Sequence, residues 1–252
     1  MGHACSPVPI LASIALLLAA GTLASAPAAA GSQPPRCFGK GATIVGNNRP
    51  NRLVGTSGSD VIVAGGGNDI VIGLGGADLI CGGAGGDELF GGGGNDKLDG
   101  QTGSDFLAGA AGNDLMVGGT GARDLVQFHG GPNPVTVNLD KGTARGWGND
   151  RLRGVEDVSG TGHNDELVGD GRRNFLFGQA GDDRLEALGA NDFLFGGAGN
   201  DSLVGGDGFD AADYTLSNAG VVVRLGDGTG TGEGQDSSRE SRTCGGRLTP
   251  TG

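Results

Sequence analysis

Apolar residues recur every nine positions along two stretches of the chain, and an aspartate, or in one block an asparagine, precedes each of them at a fixed distance. From Gly55, seven uninterrupted blocks read GTSGSDVIV, AGGGNDIVI, GLGGADLIC, GGAGGDELF, GGGGNDKLD, GQTGSDFLA and GAAGNDLMV. The fourth position is always glycine, the sixth is always aspartate and the eighth is always a large apolar residue. An eighth block, from Gly118, carries one extra residue, and the period ends at Asp124.

The pattern within one block predicts a tight turn followed by a short strand. Glycines accept the positive φ angles that such turns need. Alternation along the strand puts position eight on one face and positions seven and nine on the other. The eighth positions therefore predict an internal aliphatic stack, formed by Ile62, Val71, Ile80, Leu89, Leu98, Leu107 and Met116.

A second array starts at Gly160 and reads GTGHNDELV, GDGRRNFLF, GQAGDDRLE, ALGANDFLF, GGAGNDSLV and GGDGFDAAD. Two of its blocks depart from the pattern in ways that bear on ion binding. Asn174 replaces an aspartate, and Ala187 and Ala190 replace two glycines of the fourth block. We therefore expect the second array to be the less stable of the two.

Composition and charge narrow the class of protein. The chain has 57 glycines among 252 residues, with one Trp and one Tyr, which is too few large side chains for a conventional core of this length. A disordered glycine-rich linker would not keep aspartate and an aliphatic residue in phase over seven blocks. The net charge of -12 argues against a nucleic-acid partner, because phosphate contacts need Lys and Arg, and it suits cation binding.

The thirteen blocks resemble the RTX (repeats-in-toxin) calcium-binding nonapeptide family of secreted bacterial proteins, whose repeat is GGxGxDxUx. The resemblance implies an all-β fold: a right-handed parallel β-roll, a calcium-stabilised β-solenoid of eighteen residues per turn, in two arrays with a β spacer between them. It also implies that each ion lies between the loops of blocks n and n+2, so that Asp60 shares an ion with Asp78. About five interior Ca²⁺ sites would then fit in the first array and about four in the second.

The predicted metal ligands are the position-six aspartates, because Ca²⁺ takes carboxylate and carbonyl oxygens. They are Asp60, Asp69, Asp78, Asp87, Asp96, Asp105, Asp114, Asp165, Asp183, Asp192, Asp201 and Asp210.

The periodic arrays divide the chain into six predicted segments. They are a signal peptide (1–30), an N-terminal cap (31–54), array one (55–126), spacer strands (127–159), array two (160–213) and a partial second spacer with a disordered tail (214–252). The signal peptide is inferred from an apolar run at 10–20, too short to span a bilayer comfortably, followed by small residues. An uncut membrane anchor is the alternative. In an exported protein we expect a Cys37–Cys81 disulfide.

The chain carries no HExxH, GxSxG or GxxxxGK motif, and it is therefore predicted not to be an enzyme. The favoured function is a secreted, extracellular calcium-binding repeat protein whose loops couple Ca²⁺ to folding. Two alternatives stay open: a non-catalytic repeat region detached from a larger secreted hydrolase or epimerase, and a calcium-dependent cell-surface adhesion protein. The sequence indicates calcium ions as partners, no nucleic acid and no membrane span in the mature chain, and it identifies no protein partner.

Overall fold

The computed structural model describes residues 34–121, 123–213, 222–224 and 237–239, and these belong to one compact unit. The predicted signal peptide and most of the segment 214–252 lie outside these residues. All regular structure in the described part is β-strand, and no helix there could cross a membrane.

Within the described residues, twenty-four short strands follow one another. The first twelve are β1 (Arg36–Cys37), β2 (Lys40–Gly41), β3 (Ile44–Asn47), β4 (Arg52–Val54), β5 (Val61–Gly66), β6 (Ile70–Gly75), β7 (Leu79–Ala84), β8 (Glu88–Gly93), β9 (Lys97–Thr102), β10 (Phe106–Ala111), β11 (Leu115–Thr120) and β12 (Leu125–Gln127). The others are β13 (Thr136–Asn138), β14 (Thr143–Arg145), β15 (Asn149–Arg153), β16 (Asp157–Ser159), β17 (Glu166–Val168), β18 (Phe175–Ala180), β19 (Arg184–Glu186), β20 (Phe193–Ala198), β21 (Ser202–Val204), β22 (Ala211–Asp213), β23 (Val222–Arg224) and β24 (Ser237–Arg239).

Consecutive blocks enter two different sheets, one of ten strands and one of twelve. Within each sheet, parallel neighbours come from blocks two apart, and their register is eighteen residues: Ile62 pairs with Ile80, and Ile80 with Leu98. Each nine-residue block is thus half a turn, and the stacked turns form a β-roll of about ten turns. The predicted fold is confirmed.

The core is a stack of one aliphatic side chain per block. All seven eighth-position residues of array one are fully buried, and so are Leu167, Leu176, Leu185, Leu194 and Leu203 of array two. Positions seven and nine point outward. On the ten-stranded sheet of array two they carry phenylalanines whose rings stack along the roll, with Phe175 on Phe193 at 4.5 Å and Phe177 on Phe195 at 4.7 Å between centroids.

The start of the roll is covered by a disulfide-linked hairpin. Strands β1 and β2 pair antiparallel, and β1 packs against β5 and β7. Cys37 is buried and bonded to Cys81, as the sequence predicts. Strands β3 and β4 extend the two sheets below β5 and β6. The predicted cap therefore contains one turn, formed by β3 and β4, and the β1–β2 hairpin, which packs against β5 and β7.

The spacer continues the roll. Strand β12 pairs with β16 and β16 with β18, all parallel, so that the ten-stranded sheet runs unbroken from one array to the other. In the twelve-stranded sheet, β15 continues from β11, and the antiparallel pair β14–β13 is inserted before β17. Strand β13 lies within the segment 127–159 for which spacer strands are predicted.

Two strands follow array two. Strand β23 pairs with β21, and β24 pairs with β22, both parallel. Residues 237–239 are thus a strand where the sequence analysis expects a disordered tail, because they take the next position on the ten-stranded sheet. The remainder of that tail, 240–252, lies outside the described residues.

Candidate metal centres

The position-six aspartates form two columns, one beside each sheet, at the point where each turn enters its strand. Between regular blocks, the backbone N–H of a column residue donates to Oδ1 of the aspartate eighteen residues later. Asp60 donates to Asp78, and Asp69 to Asp87, each at 2.8 Å. The same bond links Asp165 to Asp183 in array two, also at 2.8 Å. We call these the carboxylate columns. They bring together the aspartate pairs that the resemblance implies.

The second carboxylate oxygen of these residues is buried and accepts no hydrogen bond from the protein. This holds for Oδ2 of Asp69, Asp78, Asp87, Asp96, Asp105, Asp114, Asp183, Asp192 and Asp201. These nine aspartates are each at most 3 % exposed. A buried polar group without a partner is costly, and a buried charge more so. The structure therefore places at least nine acceptor oxygens where a cation would compensate them.

Backbone carbonyls face the same spaces. A Cβ added to Gly91 would press against Asp96 Oδ2 and would lie 2.9 Å from the carbonyl oxygen of Gly109, one turn further on. Gly73 shows the same arrangement with Asp78 Oδ2 and the carbonyl of the next turn. Glycine at position one thus lets the carboxylate oxygen and the carbonyl oxygen of the next turn come close together, where a Cβ would collide with both. Carboxylate and carbonyl oxygens are the ligands that Ca²⁺ takes, so these residues fit calcium.

Glycine at position four, which His163 and Arg172 replace in the first two blocks of array two, has a different role. Gly76 has φ of 111°, and a Cβ there would collide with the backbone of Gly58 one turn below, at 2.5 Å from its carbonyl carbon. Ala190 is the one alanine at this position among the described residues, and its φ is 85°. The left-handed region is unfavourable for a residue with a Cβ, so the fourth block of array two is locally strained.

Burial raises the pKa of the column carboxyl groups above its ordinary value. The pKa rises to about 7 at Asp183 and Asp192, and to about 6 at Asp96, Asp105 and Asp114. The cause is loss of solvation, which disfavours the charged form; the donated backbone N–H lowers the pKa, and the like charge of column neighbours raises it further. The columns resist carrying full negative charge without a cation.

Comparison with known proteins agrees with this geometry. The family model for the RTX calcium-binding nonapeptide repeat, four copies long, matches overlapping segments at 45–80, 54–89, 81–116, 90–125, 159–194 and 177–211. Together they cover more than half of the chain. The chain belongs to the RTX calcium-binding nonapeptide repeat family. A search of curated proteins gave no significant match.

In the first RTX block of each array, the position-six carboxylate accepts hydrogen bonds that the later blocks lack. Oδ2 of Asp60 accepts from the backbone N–H of Thr56 at 2.7 Å and from its hydroxyl at 2.9 Å. Thr161 makes the same contacts with Asp165. Threonine at position two therefore supplies hydrogen-bond donors to the first carboxylate of each array. The nine-residue pattern alone predicts that this carboxylate is equivalent to the others.

Asn174 is also fully satisfied by protein groups. Its Oδ1 accepts from the N–H of Asp170 at 2.8 Å, and its Nδ2 donates to the carbonyl of Glu156 at 2.8 Å. Arg172 pairs with both Glu156, at 3.2 Å, and Asp170, at 3.0 Å. Arg123 pairs with Asp157 at 2.5 Å. We call this set, Arg123, Glu156, Asp157, Asp170, Arg172 and Asn174, the junction network. It holds the turn between the arrays with amide and guanidinium donors.

Two further aspartates, Asp124 and Asp150, belong to the carboxylate columns and are absent from the predicted ligands. Asp105 donates its N–H to Asp124 Oδ1 at 2.8 Å, and Asp114 donates to Asp150 Oδ1 at 2.9 Å. Asp124 follows the extra residue that ends the nine-residue period, so counting by nine misses it. Asp150 lies in the spacer, but the letters Gly148-Asn149-Asp150 repeat positions four to six of a regular block. That tripeptide is the signal that could have identified it.

Among the described residues, no three His, Cys, Asp or Glu side chains converge as a metal site. An RTX loop pair instead offers one or two carboxylates together with glycine carbonyls, a ligand set that suits Ca²⁺.

Proposed function

We propose that this protein is a secreted RTX protein that binds several Ca²⁺ ions in its loops and needs them to fold. The observation that supports this most directly is the set of buried Oδ2 atoms that face glycine carbonyls without any donor. Hydrogen bonds within the protein already use Oδ1 of each column residue, so the second oxygen is left for a ligand from outside the chain.

The ions would be held by the twelve predicted aspartates together with the carbonyls of position-one glycines. When bound, Ca²⁺ supplies two positive charges and accepts several oxygen ligands at once. The first aspartate of each array, Asp60 and Asp165, already receives donors from threonine. We therefore place the ions mainly in the interior of each column, between successive turns.

Folding depends on these ions because the other stabilising terms are small. The core is one aliphatic residue per block, whereas ordering the backbone costs about 1–2 kcal/mol per residue. The net charge of -12 and the stacked carboxylates oppose compaction. Ion binding that exists only in the folded chain contributes its free energy to folding.

Secretion is consistent with the Cys37–Cys81 disulfide, since such bonds persist in oxidising compartments outside the cytosol. The role we propose is structural binding of calcium without catalysis. It requires no partner beyond the ion.

Circular dichroism of the full mature chain tests the proposal. We expect a largely unfolded spectrum in excess chelator and a strand-rich spectrum after Ca²⁺ is added, with Mg²⁺ at equal concentration as the control ion. Mg²⁺ should be much less effective because it demands compact octahedral geometry. A strand-rich spectrum in chelator, equal to that with Ca²⁺, would contradict the proposal.

A further inference from the structure

Asp150 occupies a column position although it lies outside both arrays. Strand β15 pairs in parallel with β11, with Arg151 opposite Leu115 and Leu152 opposite Met116. Asp150 therefore lies one turn above Asp114, where a regular array would place the next position-six aspartate. It is 36 residues further along the chain instead of 18, because the β13–β14 hairpin is inserted between them.

The turn leading into Asp150 copies the second half of an RTX loop. Asn149 donates its N–H to Asn113 Oδ1 at 2.9 Å, as Asn113 does to Asn95 at 2.8 Å one turn below. A Cβ on Gly148 would overlap the carbonyl oxygen of Gly112, which is the close approach that position four makes within the arrays. The first half of the turn differs, since the chain arrives from the antiparallel strand β14.

The space between these two turns has an unpartnered acceptor. Asp114 is 3 % exposed, and its Oδ2 accepts no hydrogen bond and lies against the Cα of Gly109, as Asp96 Oδ2 lies against Gly91. Asp150 is 4 % exposed and directs Oδ1 to the N–H of Asp114 at 2.9 Å.

In the other column, the corresponding pair of turns contains Asp124 and Glu156, and protein groups already pair with them. There Glu156 Oε2 accepts the N–H of Asp124 at 3.0 Å, and Arg172 pairs with Glu156. The two sides of the spacer thus differ, and on one of them Asp114 Oδ2 stays buried without a hydrogen-bond donor.

We propose that Asp114, in the last block of array one, and Asp150, in the spacer, form a calcium site that extends the column beyond the array, a proposal that rests on the proposed calcium binding of the RTX loops. An ion there ties the spacer to the last turn of array one. From the spacer, β13 leads to array two, where Val135 donates its N–H to Asp165 Oδ1 at 2.8 Å. The site therefore links calcium occupancy of array one to the start of the second array.

Tryptophan-sensitised terbium luminescence tests the site in the full mature chain. Tb³⁺ replaces Ca²⁺ in oxygen sites, and Trp147, the single tryptophan, lies three residues before Asp150. We expect emission under excitation selective for tryptophan, displaced by added Ca²⁺. Asp150→Asn should remove most of it and lower the Ca²⁺ count in native mass spectrometry by one. The control is Asp140→Asn, an exposed spacer residue, which should change neither quantity.

The outcomes separate this site from the general function. If Asp150→Asn keeps both the emission and the ion count of the wild type, the Asp150 site is refuted. If the wild type gains strand structure with Ca²⁺ but shows no tryptophan-sensitised emission, the site is refuted while calcium-coupled folding stands, and this result needs no folded variant. If the wild type binds neither ion, both proposals fail.

Discussion

In the interior of each array, a column aspartate has two oxygens with separate roles. Oδ1 accepts the backbone N–H of the turn below, whereas Oδ2 faces glycine carbonyls. An asparagine at the same position can keep the first contact but loses the charge. The natural Asn174 shows the additional change that such a substitution needs, because Asp170 and Glu156 lie where they can pair with its amide.

Asp87→Asn should therefore raise the Ca²⁺ concentration at half-folding several-fold, since a central ion loses a charged ligand and nothing nearby replaces it. Asp99→Asn is the matched control: Asp99 is on the outer face, half-buried, and its Oδ1 accepts the N–H of Gln101, a bond that an amide oxygen keeps. Its effect should stay within about 0.5 kcal/mol. Calcium titrations followed by circular dichroism measure both, and equal shifts would refute the assignment of position six.

Ala190→Gly should stabilise the calcium-loaded protein by about 1 kcal/mol, because glycine adopts φ of 85° without the penalty that a Cβ brings. Ala198→Gly in the next block is the control. Its backbone is not in the left-handed region, so it should lose about 0.5–1 kcal/mol through added chain entropy. Urea denaturation at saturating Ca²⁺ measures both. A loss of stability in Ala190→Gly would show that the strain is absent.

At the scale of strands and turns, the nine-residue period predicts most of the fold. The period itself predicts the buried stack. The eighteen-residue register and the pairing of Asp60 with Asp78 follow from the RTX resemblance, which implies half a turn per block. The period does not predict the course of the spacer. Asp150 returns to its column after an antiparallel hairpin, and the junction network depends on Arg123 and Arg172 meeting carboxylates far away along the chain. Such contacts have no period that a sequence pattern could reveal.

The expectation that array two needs more calcium than array one stays a prediction, but its basis changes. The strain at Ala190 supports it. Asn174 does not weaken the turn in the way the sequence suggests, because the junction network satisfies its amide.

The raised pKa values of the column carboxyl groups predict that their protonation at acidic pH partly replaces calcium in stabilising the fold. The pKa values of about 7 at Asp183 and Asp192, and about 6 at Asp96, Asp105 and Asp114, lie above the ordinary value of 3.8. The folded state thus binds protons more tightly than the unfolded state, so the stability of the calcium-free fold rises as pH falls through 7 and 6 and levels off below about 4. Circular dichroism of calcium-stripped protein should show more strand at pH 5 than at pH 8. No gain on acidification would contradict this assignment.

For the whole molecule, stability is approximately a sum over turns and their contacts with neighbours. The first turn, β3–β4, has a neighbouring turn on one side only, and the β1–β2 hairpin packs against β5 and β7 of the next two turns. The disulfide closes a separation of 44 residues between this hairpin and the third block. The cap and the first turns are therefore held together even before any ion binds.

The double variant Cys37→Ser/Cys81→Ser should lose about 2–4 kcal/mol, because the unfolded chain regains the freedom that the disulfide removes. Thermal unfolding at saturating Ca²⁺ measures the loss. Wild-type protein treated with reductant should unfold like the variant, whereas reductant should not change the variant itself. A variant as stable as the oxidised wild type would show that the disulfide contributes nothing.

The carboxylate columns also make the roll a linear polyelectrolyte. Neighbouring strands lie about 4.8 Å apart, so successive carboxylates in one column are closer than the Debye length of about 8 Å at physiological ionic strength. Each lies within the field of the next, and monovalent cations accumulate along the columns as a counterion atmosphere that Ca²⁺ must displace. The calcium requirement for folding should therefore rise with the logarithm of NaCl concentration, a dependence that titrations at several salt concentrations would measure. A midpoint independent of salt would mean that each loop binds its ion in isolation, whereas a steep dependence would make folding of the protein sensitive to the salinity of its surroundings.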